Sequence, residues 1–363
     1  MDKDNYYIKR IRFKNLFGYR DIDWELLEDV NILGGINGSG KSTIMQCVRS
    51  LLTTNFLPDN LARLAEKIDI EFYNGCTFTW CREKSNLSGY APDSDHKYKV
   101  DATKTDDNGL FTVQKSQLLS AGKEVLRTGN VGEHIGTDMV SASEQMALHK
   151  DISYAIGEKD LETNLDLLLY REINKRNEKL VGSIRFLSLM KSQKEIIELQ
   201  RELQDIIFDA DDDKREQIQK LEEEIADKIN FTSQSLIDIH DILDEYFSST
   251  GKISMKDTGN FLFRSGNEII NYLKLSTGEK QLLLVLLKAF NSEEKPFIMF
   301  LDEADLGMHI EWKEKLIKTL RSINPNMQIL FDTHAPSVIK GWFDNVKEMD
   351  EISHDNNSYA CNP

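Results

Sequence analysis

The 363-residue sequence has no hydrophobic run long enough to cross a bilayer. Its longest uninterrupted apolar run, Leu282–Leu287, is far shorter than the roughly 20 residues that a membrane-spanning helix needs. The N-terminal segment MDKDNYYIKR also lacks the charged and then apolar pattern of a secretory signal peptide. We therefore expect a cytoplasmic protein with no membrane partner.

Cysteine is scarce as well. The chain contains only Cys47, Cys76, Cys81 and Cys361. So few cysteines in a chain of this length do not form a disulfide framework. Two of them lie in IDIEFYNGCTFTWC, where alternating segments flank Asn74-Gly75, the strongest short signal for a β-hairpin. We interpret this stretch as a hairpin rather than as a metal site, because structural zinc requires a complete tetrahedral set of ligands.

Positive charge is in short supply: 45 Lys and Arg face 61 Asp and Glu, which gives a formal net charge of −16. Proteins that coat DNA need positive surface to contact phosphates, so a nucleic-acid contact here must come from a local patch or from a partner. The first strand, YIKRIRFKNL, offers one such patch, because Arg10, Arg12 and Lys14 share a face. This face either meets a nucleotide or DNA, or it simply faces solvent.

The hydrophobic periodicity changes along the chain. Alternation at 6–33 and 68–115 predicts β-strands, the pattern becomes helical from about 140 to 248, and strand signals return after 250. Two of the later segments, PFIMFLDEAD and MQILFDTHAP, are interpreted as buried strands that end in polar residues. The order predicts an α/β fold with a largely parallel sheet built from both ends of the chain.

Two apolar stripes mark the helical region. They consist of Ile196, Leu199, Leu203 and Ile206, and of Ile218, Leu221, Ile225 and Ile229. Between residues 191 and 230, 13 acidic side chains outnumber 7 basic ones. We interpret the region as a short, acidic, antiparallel coiled-coil hairpin; a solvated helix pair without a partner is the alternative.

The segment GINGSGKS, Gly35–Ser42, fits G-x-x-x-x-G-K-[ST] and lies between a predicted strand and a predicted helix, the context that this motif requires. Its glycines let backbone N–H groups point inward as an anion-binding nest, and the helix dipole adds positive potential. Lys41 is placed to reach the β- and γ-phosphates and Ser42 to bind Mg²⁺. We expect the nucleotide to be bound by Gly35, Asn37, Gly38, Ser39, Gly40, Lys41, Ser42 and Thr43.

Two later strands end in polar residues that complete this chemistry. FIMFLDEAD ends in Asp302, which suits a Mg²⁺ contact, and Glu303, which suits a base that orients water for attack on the γ-phosphate. ILFDTHAPS ends at His334, a candidate sensor of the γ-phosphate. We expect Lys41, Glu303 and His334 to be the catalytic residues.

The segment LSTGEKQ precedes the apolar run at Leu282–Leu287. Ser276 and Glu279 fit the S-x-x-E capping box, so the segment could simply be the start of a well-capped buried helix. A capped N-terminus beside a glycine is also an anion site. Because the phosphate loop already cradles one triphosphate, we expect this second site to take another.

Together, GINGSGKST, LSTGEKQ, FIMFLDEAD and THAPS resemble the phosphate loop, signature, magnesium and base strand, and switch histidine of ATP-binding-cassette ATPases. The STGEK form is similar to that of SMC, RecF and OLD-type heads rather than transporter subunits. The resemblance is strong over about 1–60 and 260–343. The segment from Asp305 to Trp342 resembles ATPases of bacterial anti-phage defence systems, such as Septu and some retrons.

The resemblance implies an α/β P-loop head with an antiparallel β subdomain and a short helical insertion. It also implies Mg²⁺-dependent ATP hydrolysis by two heads that dimerise around ATP, and it leaves higher oligomers open. Ser276 and Gly278 would contact the ATP held by the other head, and Asp305 would lie at the seam. The expected parts are an N-terminal ATPase lobe at 1–139, the helical insertion at 140–250 and a C-terminal ATPase lobe at 251–363.

The sequence departs from the family pattern at Ala304 and Ala335, where relatives often carry Pro and Ser, although neither change removes a group assigned to chemistry. The glutamine that relatives place near the γ-phosphate has no clear match. Gln114, Asp138 and Gln145 all stay open for this role.

Residues 335–363 leave no room for the C-terminal nuclease domain of OLD-like relatives, so we expect a separate effector from the same operon. The leading hypothesis is an ATP-gated dimer that controls this effector, a nuclease or toxin, in anti-phage defence. A DNA-repair or DNA-clamping ATPase is one alternative, although the charge does not indicate DNA as a partner. A transporter subunit is another, although its phosphate loop and signature usually lie closer together.

Overall fold

The computed structural model describes residues 6–85, 102–103, 111–120, 123–126, 135–142, 161–192, 239–255, 261–292 and 296–356. The chain forms two compact units. The first consists of Met1–Ser143 and Ser292–Pro363, and the second of Glu144–Asn291. No helix among the described residues is both long and apolar enough to cross a membrane.

The strands are β1 (Ile8–Leu16), β2 (Arg20–Glu25), β3 (Val30–Gly34), β4 (Lys67–Phe72), β5 (Cys76–Ser85), β6 (Ala102–Thr103), β7 (Phe111–Ser120), β8 (Lys123–Leu126), β9 (Gly136–Ser141), β10 (Lys252–Ser254), β11 (Leu262–Ser265), β12 (Glu268–Asn271), β13 (Phe297–Asp302), β14 (Met327–Asp332), β15 (Val346–Glu348) and β16 (Ser353–Asp355). The helices are α1 (Lys41–Thr54), α2 (Asp59–Ala62), α3 (Asn164–Ser192), α4 (Thr277–Asn291), α5 (Ile310–Ile323), α6 (Pro336–Ile339) and α7 (Met349–Ile352). Residues 239–247 are also helical.

A parallel sheet in the order β15-β3-β14-β13-β9 forms the centre of the first unit. Every residue of β3 and β14 is buried, which explains why these strands are mostly apolar. The register pairs Asp302 with Asp332 on one side and with Ser141 on the other. Because the strands are parallel and in this register, the polar residues at their carboxyl ends lie along one edge of the sheet.

The second sheet of the first unit is antiparallel, in the order β16-β2-β1-β4-β5-β7-β6, with β8 beside β7. The hairpin expected at Asn74-Gly75 is confirmed, since it joins β4 to β5. Gly75 has a φ of +86°, and the Asn74 side chain accepts a 2.9 Å hydrogen bond from the Cys76 N–H. The inner face of this sheet, the buried side of α1, and Phe300 and Leu330 of the parallel sheet share one hydrophobic core.

The cationic face of β1 is neutralised by its neighbours. Arg10 stands between Glu25 and Glu71 in the pairing register, and Arg12 stands between Asp23 and Asp69. Arg10 also donates two 2.6 Å hydrogen bonds to Asp23, and these bonds hold the pKa of the Asp23 carboxyl below its ordinary value. Each arginine therefore has an acid on both sides, which favours the solvated-face interpretation over contact with nucleic acid.

One buried amide ties the two sheets of the first unit together. The Gln328 side chain, on β14, accepts a hydrogen bond from the Ile8 N–H at 2.8 Å and donates to the carbonyls of Ile8 and Leu27 at 2.7 Å each. A buried polar group without partners is costly, so these bonds fix the start of β1 against the parallel sheet.

In the second unit, α3 runs from Asn164 to Ser192, within the stretch of about 140 to 248 that the periodicity predicts to be helical. It packs on α4 through two ion pairs: Lys280 Nζ lies 2.6 Å from Asp166 Oδ1, and Lys288 Nζ lies 3.5 Å from Glu172 Oε1. The signature helix α4 thus belongs to the same compact unit as the helical segment, whereas the expected division at 250 grouped it with the C-terminal lobe. The two stripes expected to form a coiled-coil hairpin lie outside the described residues.

Candidate functional site

The phosphate loop connects β3 to α1, as the motif predicts. Gly35, Gly38 and Gly40 have φ values of +135°, +80° and +105°, a region that glycine adopts without strain. A Cβ atom on Gly40 would lie 2.6 Å from Cε2 of the Phe17 ring. The path of the backbone therefore favours glycine at all three places, and close packing gives a second reason at Gly40.

Lys41 is folded into its own loop, with its side chain only 4% exposed. Its ammonium donates to the carbonyls of Gly35 at 2.9 Å and Ile36 at 3.1 Å. It also lies 3.8 Å from Asp332 Oδ1 and 3.0 Å from His334 Nε2. Because an ammonium group only donates, His334 Nε2 is the acceptor in this contact.

Two carboxylates, Asp302 and Asp332, stand side by side at the ends of β13 and β14. Ser141 donates a 2.9 Å hydrogen bond to Asp302 Oδ2, and Ser42 donates to Asp332 Oδ2 at 3.4 Å. The other oxygen of Asp302, Oδ1, is buried without a hydrogen-bond partner among the described residues. The carboxylates of Asp302 and Asp332 and the hydroxyl of Ser42 form a donor set that suits Mg²⁺, a cation that prefers oxygen ligands.

The electrostatics of this pair favour a cation beside the two carboxylates. Burial raises the pKa of Asp332 to about 7, and the neighbouring Asp302 and Glu303 add to this effect, whereas Lys41 opposes it. A divalent cation at the same place would offset both the burial and the repulsion.

Glu303 follows β13 in an unusual backbone conformation, with a φ of +49°. Its N–H donates a 2.9 Å hydrogen bond to the carbonyl of Asp332 at the end of β14. Its Oε1 lies 3.6 Å from His334 Nε2, and both side chains are more than a third exposed. The structure therefore places the expected base next to the expected γ-phosphate sensor, at the same edge as Lys41.

The remaining loop residues lie around this edge. Asn37 is exposed, Thr43 is partly exposed, and the Ser39 carbonyl accepts a 3.3 Å hydrogen bond from Arg20. Asp305, by contrast, is buried: its Oδ1 accepts from the Thr333 hydroxyl at 2.9 Å and its Oδ2 accepts from Lys313 at 2.9 Å. Both carboxylate oxygens of Asp305 thus contact residues of the same chain. Its expected place at a dimer seam stays a prediction.

The signature segment begins α4 with the predicted capping box. The Glu279 carboxylate accepts from the Ser276 N–H at 2.8 Å and from the Ser276 hydroxyl at 2.9 Å, while Lys252 donates to its other oxygen at 2.7 Å. Burial raises the pKa of Glu279, but the hydrogen bonds from Lys252 and Ser276 outweigh burial and hold it below its ordinary value. Ser276 and Thr277 are exposed, and Gly278 is buried.

Sequence reasoning missed two residues that lie beside Asp302 at the carboxyl ends of the parallel strands. Asp332 ends the apolar strand in ILFDTHAPS, so its position was a usable signal. Ser141 gave a weaker one, because only the pairing of β9 with β13 brings it to Asp302. For the open glutamine role, Gln114 lies on β7 opposite Arg82 and Asp138 lies in mid-strand on β9. Gln145 lies outside the described residues.

Comparison with known proteins agrees with this geometry. A family model described as an AAA ATPase domain matches residues 7–339. The chain is 23% identical to the Retron Vc95 probable ATPase of Vibrio cholerae serotype O1 biovar El Tor, over 86% of this chain and 67% of that protein. The expected resemblance to retron-associated ATPases is thereby confirmed.

Two other similar proteins are a transporter ATP-binding protein and an Smc head domain. The uncharacterized ABC transporter ATP-binding protein YmeB of Lactococcus lactis subsp. lactis (strain IL1403) is 40% identical over 76 residues, 20% of this chain and 28% of that protein. Among solved structures, the Smc head domain bound to the C-terminal domain of ScpA, from Pyrococcus furiosus, covers 96% of this chain and 95% of its own at 16% identity and a TM-score of 0.43.

The raised pKa of Asp332 predicts a pH dependence of stability for the protein without metal and nucleotide. Between its ordinary value of 3.8 and about 7, the folded state keeps a proton that the unfolded state has released. The free energy of unfolding should therefore fall by about 1 kcal/mol per pH unit as the pH rises through this window, and this loss should level off above about 7.

The matched control is Asp332→Asn, which cannot ionise. Urea unfolding in a chelating buffer between about pH 5 and 8 should show the variant gaining stability relative to the wild type as the pH rises. Parallel curves for the two proteins would show that Asp332 has an ordinary pKa.

Proposed function

The chain is an ATPase that belongs to the AAA ATPase domain family, and we propose that it works as an ATP-bridged homodimer controlling a separate effector in anti-phage defence. The observation that carries the proposal is the convergence, at one edge of the parallel sheet, of the Lys41 ammonium, the Asp302 and Asp332 carboxylates, and the Glu303–His334 pair. These are the groups that phosphoryl transfer to water requires.

The phosphates of ATP would lie in the nest formed by the backbone from Gly35 to Thr43, at the N-terminus of α1. Lys41 would exchange the carbonyls of Gly35 and Ile36 for the β- and γ-phosphates. Asn37, Gly38, Ser39 and Gly40 would supply the rest of the cradle. A cradle built largely from backbone groups binds phosphates through charge and shape.

Ser42 and Asp302 would hold Mg²⁺, and the orphaned Oδ1 of Asp302 supports this assignment. When bound, Mg²⁺ neutralises charge that develops on the phosphate oxygens. Glu303 would accept the proton of the attacking water, and its exposed carboxylate is accessible for this role. His334, already 3.0 Å from Lys41, would contact the γ-phosphate from the neighbouring strand.

Exposed apolar residues beside the nucleotide edge support a dimer. Ile36 in the phosphate loop is 81% exposed, and Leu306 and Ile310, in the segment after Glu303, are 50% and 59% exposed. Apolar side chains around a polar site are typical of a surface that another protein covers. Ser276 is exposed at the capped start of α4, where it and Gly278 would bind the ATP held by a second copy.

The role in defence is supported by the similarity to a retron ATPase over most of this chain. The neutralised face of β1 and the net charge of −16 make a DNA clamp the weaker candidate. The transporter alternative is supported by the similarity to YmeB, which covers only 20% of this chain.

Replacing Glu303 with Gln tests the base. We expect the variant to bind ATP but to hydrolyse it roughly 100-fold or more slowly, because the amide cannot accept the proton. It should accumulate as an ATP-bound dimer in light scattering after size-exclusion chromatography. Lys41→Ala is the comparison, since it should lose nucleotide binding altogether. Wild-type turnover by Glu303→Gln would refute the assignment.

Replacing Ser276 with Arg tests the contact in trans. The bulky cation should block ATP-dependent dimerisation and hydrolysis while leaving nucleotide binding by the monomer intact. Glu268→Arg, an exposed position in the same unit, adds an arginine without touching the start of α4 and should behave as wild type. If Ser276→Arg dimerises and hydrolyses ATP normally, the trans contact does not exist.

Co-expression with the neighbouring genes of its operon tests the effector. A tagged chain should co-purify with an effector whose activity differs between the Glu303→Gln and Lys41→Ala backgrounds, which hold opposite nucleotide states. If no effector co-purifies and none is encoded nearby, the regulator proposal is wrong. Steeply salt-dependent DNA binding by the chain alone would instead favour the DNA clamp.

A further inference from the structure

A buried carboxylate connects the two loops that carry the proposed base and sensor. Asp305 lies two residues after Glu303, in the turn that follows β13, and its side chain is buried. Thr333 lies between Asp332 and His334, directly after β14. The 2.9 Å hydrogen bond from the Thr333 hydroxyl to Asp305 Oδ1 therefore joins the loop of Glu303 to the loop of His334.

We propose that Asp305, Thr333 and Lys313 form a loop clamp that positions Glu303 and His334 for ATP hydrolysis. The proposal rests on the function proposed above and assigns Asp305 an internal task in place of a nucleotide contact. The three residues are positioning residues, because they act through Glu303 and His334.

Thr333 occupies both hydrogen-bonding capacities of its hydroxyl in the clamp. The hydroxyl donates to Asp305 and accepts a 3.0 Å hydrogen bond from the N–H of Ala335. These two contacts bracket His334, the residue between Thr333 and Ala335. The backbone on both sides of the histidine is thereby fixed to the loop of Glu303.

The conformation of Glu303 requires such support. A non-glycine residue with a φ of +49° is strained and persists only where the surrounding structure holds it. On one side, the Glu303 N–H is bonded to Asp332; on the other, the Leu306 N–H donates to the Glu303 carbonyl at 3.0 Å. The Met308 N–H donates to the Asp305 carbonyl at 3.1 Å, so the clamp residue closes the same turn.

Lys313 compensates the buried charge of the Asp305 carboxylate. Its ammonium, on α5, lies 2.9 Å from Asp305 Oδ2 and keeps partial contact with solvent. A buried carboxylate that accepts two hydrogen bonds, one of them from a cation, holds its geometry strongly. The same turn directs Leu306 outward, so its outer side stays available to a partner while its inner side is locked.

The test compares Thr333→Val, which keeps the shape of threonine and loses the hydroxyl, with Thr333→Ser, which keeps the hydroxyl. We expect kcat to fall roughly 10- to 100-fold in Thr333→Val, because small displacements of a base cost about this much. KM for ATP and the affinity for a non-hydrolysable analogue should stay within about twofold of wild type. Thr333→Ser should restore most of kcat.

A double variant separates positioning from general stability. If the clamp acts through the base, Thr333→Val should cost almost nothing further in a Glu303→Gln background, because the group that it positions is already gone. Multiplicative losses, an equal loss of kcat in Thr333→Ser, a parallel loss of nucleotide affinity, or wild-type kcat in Thr333→Val would each overturn the proposal.

Two features keep the result interpretable. Wild-type turnover by Glu303→Gln alone would refute the proposed base, and this outcome is distinct from failure of the clamp. If Thr333→Val does not fold, Lys313→Gln tests the clamp from its solvent-accessible side. It should lower kcat at unchanged KM, again only when Glu303 is present, and an unchanged kcat would overturn the clamp.

Discussion

Two neighbouring carboxyl groups that the fold holds together, Asp302 and Asp332, constrain everything else at the nucleotide edge. The register of β13 and β14 sets them side by side, and both side chains are buried. Such a pair is tolerated only with nearby compensation. Lys41 and the hydroxyls of Ser42 and Ser141 provide part of it, and a divalent cation would provide the rest. The metal binding proposed for this place would thus follow from strand register.

The second unit also contains a buried carboxylate near a helix N-terminus, but there the chain itself supplies the compensating groups. One of its buried acids, Glu279, accepts hydrogen bonds from Lys252 and from Ser276 of the signature segment. The carboxylate therefore stabilises the start of α4 without calling for an external cation. One helix N-terminus begins at an open, glycine-rich loop, and the other begins at a closed capping box with an exposed serine. In the proposed function, the first N-terminus would cradle phosphates, whereas the second would present only Gly278 and the exposed Ser276 to the ATP of another copy.

Local chemistry made much of the molecule predictable from its sequence. The phosphate loop, the Asn74-Gly75 hairpin and the capping box depend on residues close together in the chain, and all three are present as expected. Features that depend on distant pairing were missed. Ser141 reaches Asp302 only because β9 pairs with β13. The charges of Arg10 and Arg12 are balanced only because acidic residues of β2 and β4 lie opposite them. The inward orientation of Asp305 likewise needs Thr333, from another strand. Spacing within a motif carries no information about such partners.

The contacts of Lys41 bear on how nucleotides are told apart. The ammonium already donates hydrogen bonds to two carbonyls of its own loop, so phosphate binding would exchange one set of partners for another. The free energy that Lys41 contributes to binding is therefore the difference between the two sets of contacts. A ligand whose phosphates stop short of the lysine leaves that exchange undone and gains nothing from the strongest charge in the cradle. The length of the phosphate chain therefore decides whether a ligand can engage Lys41.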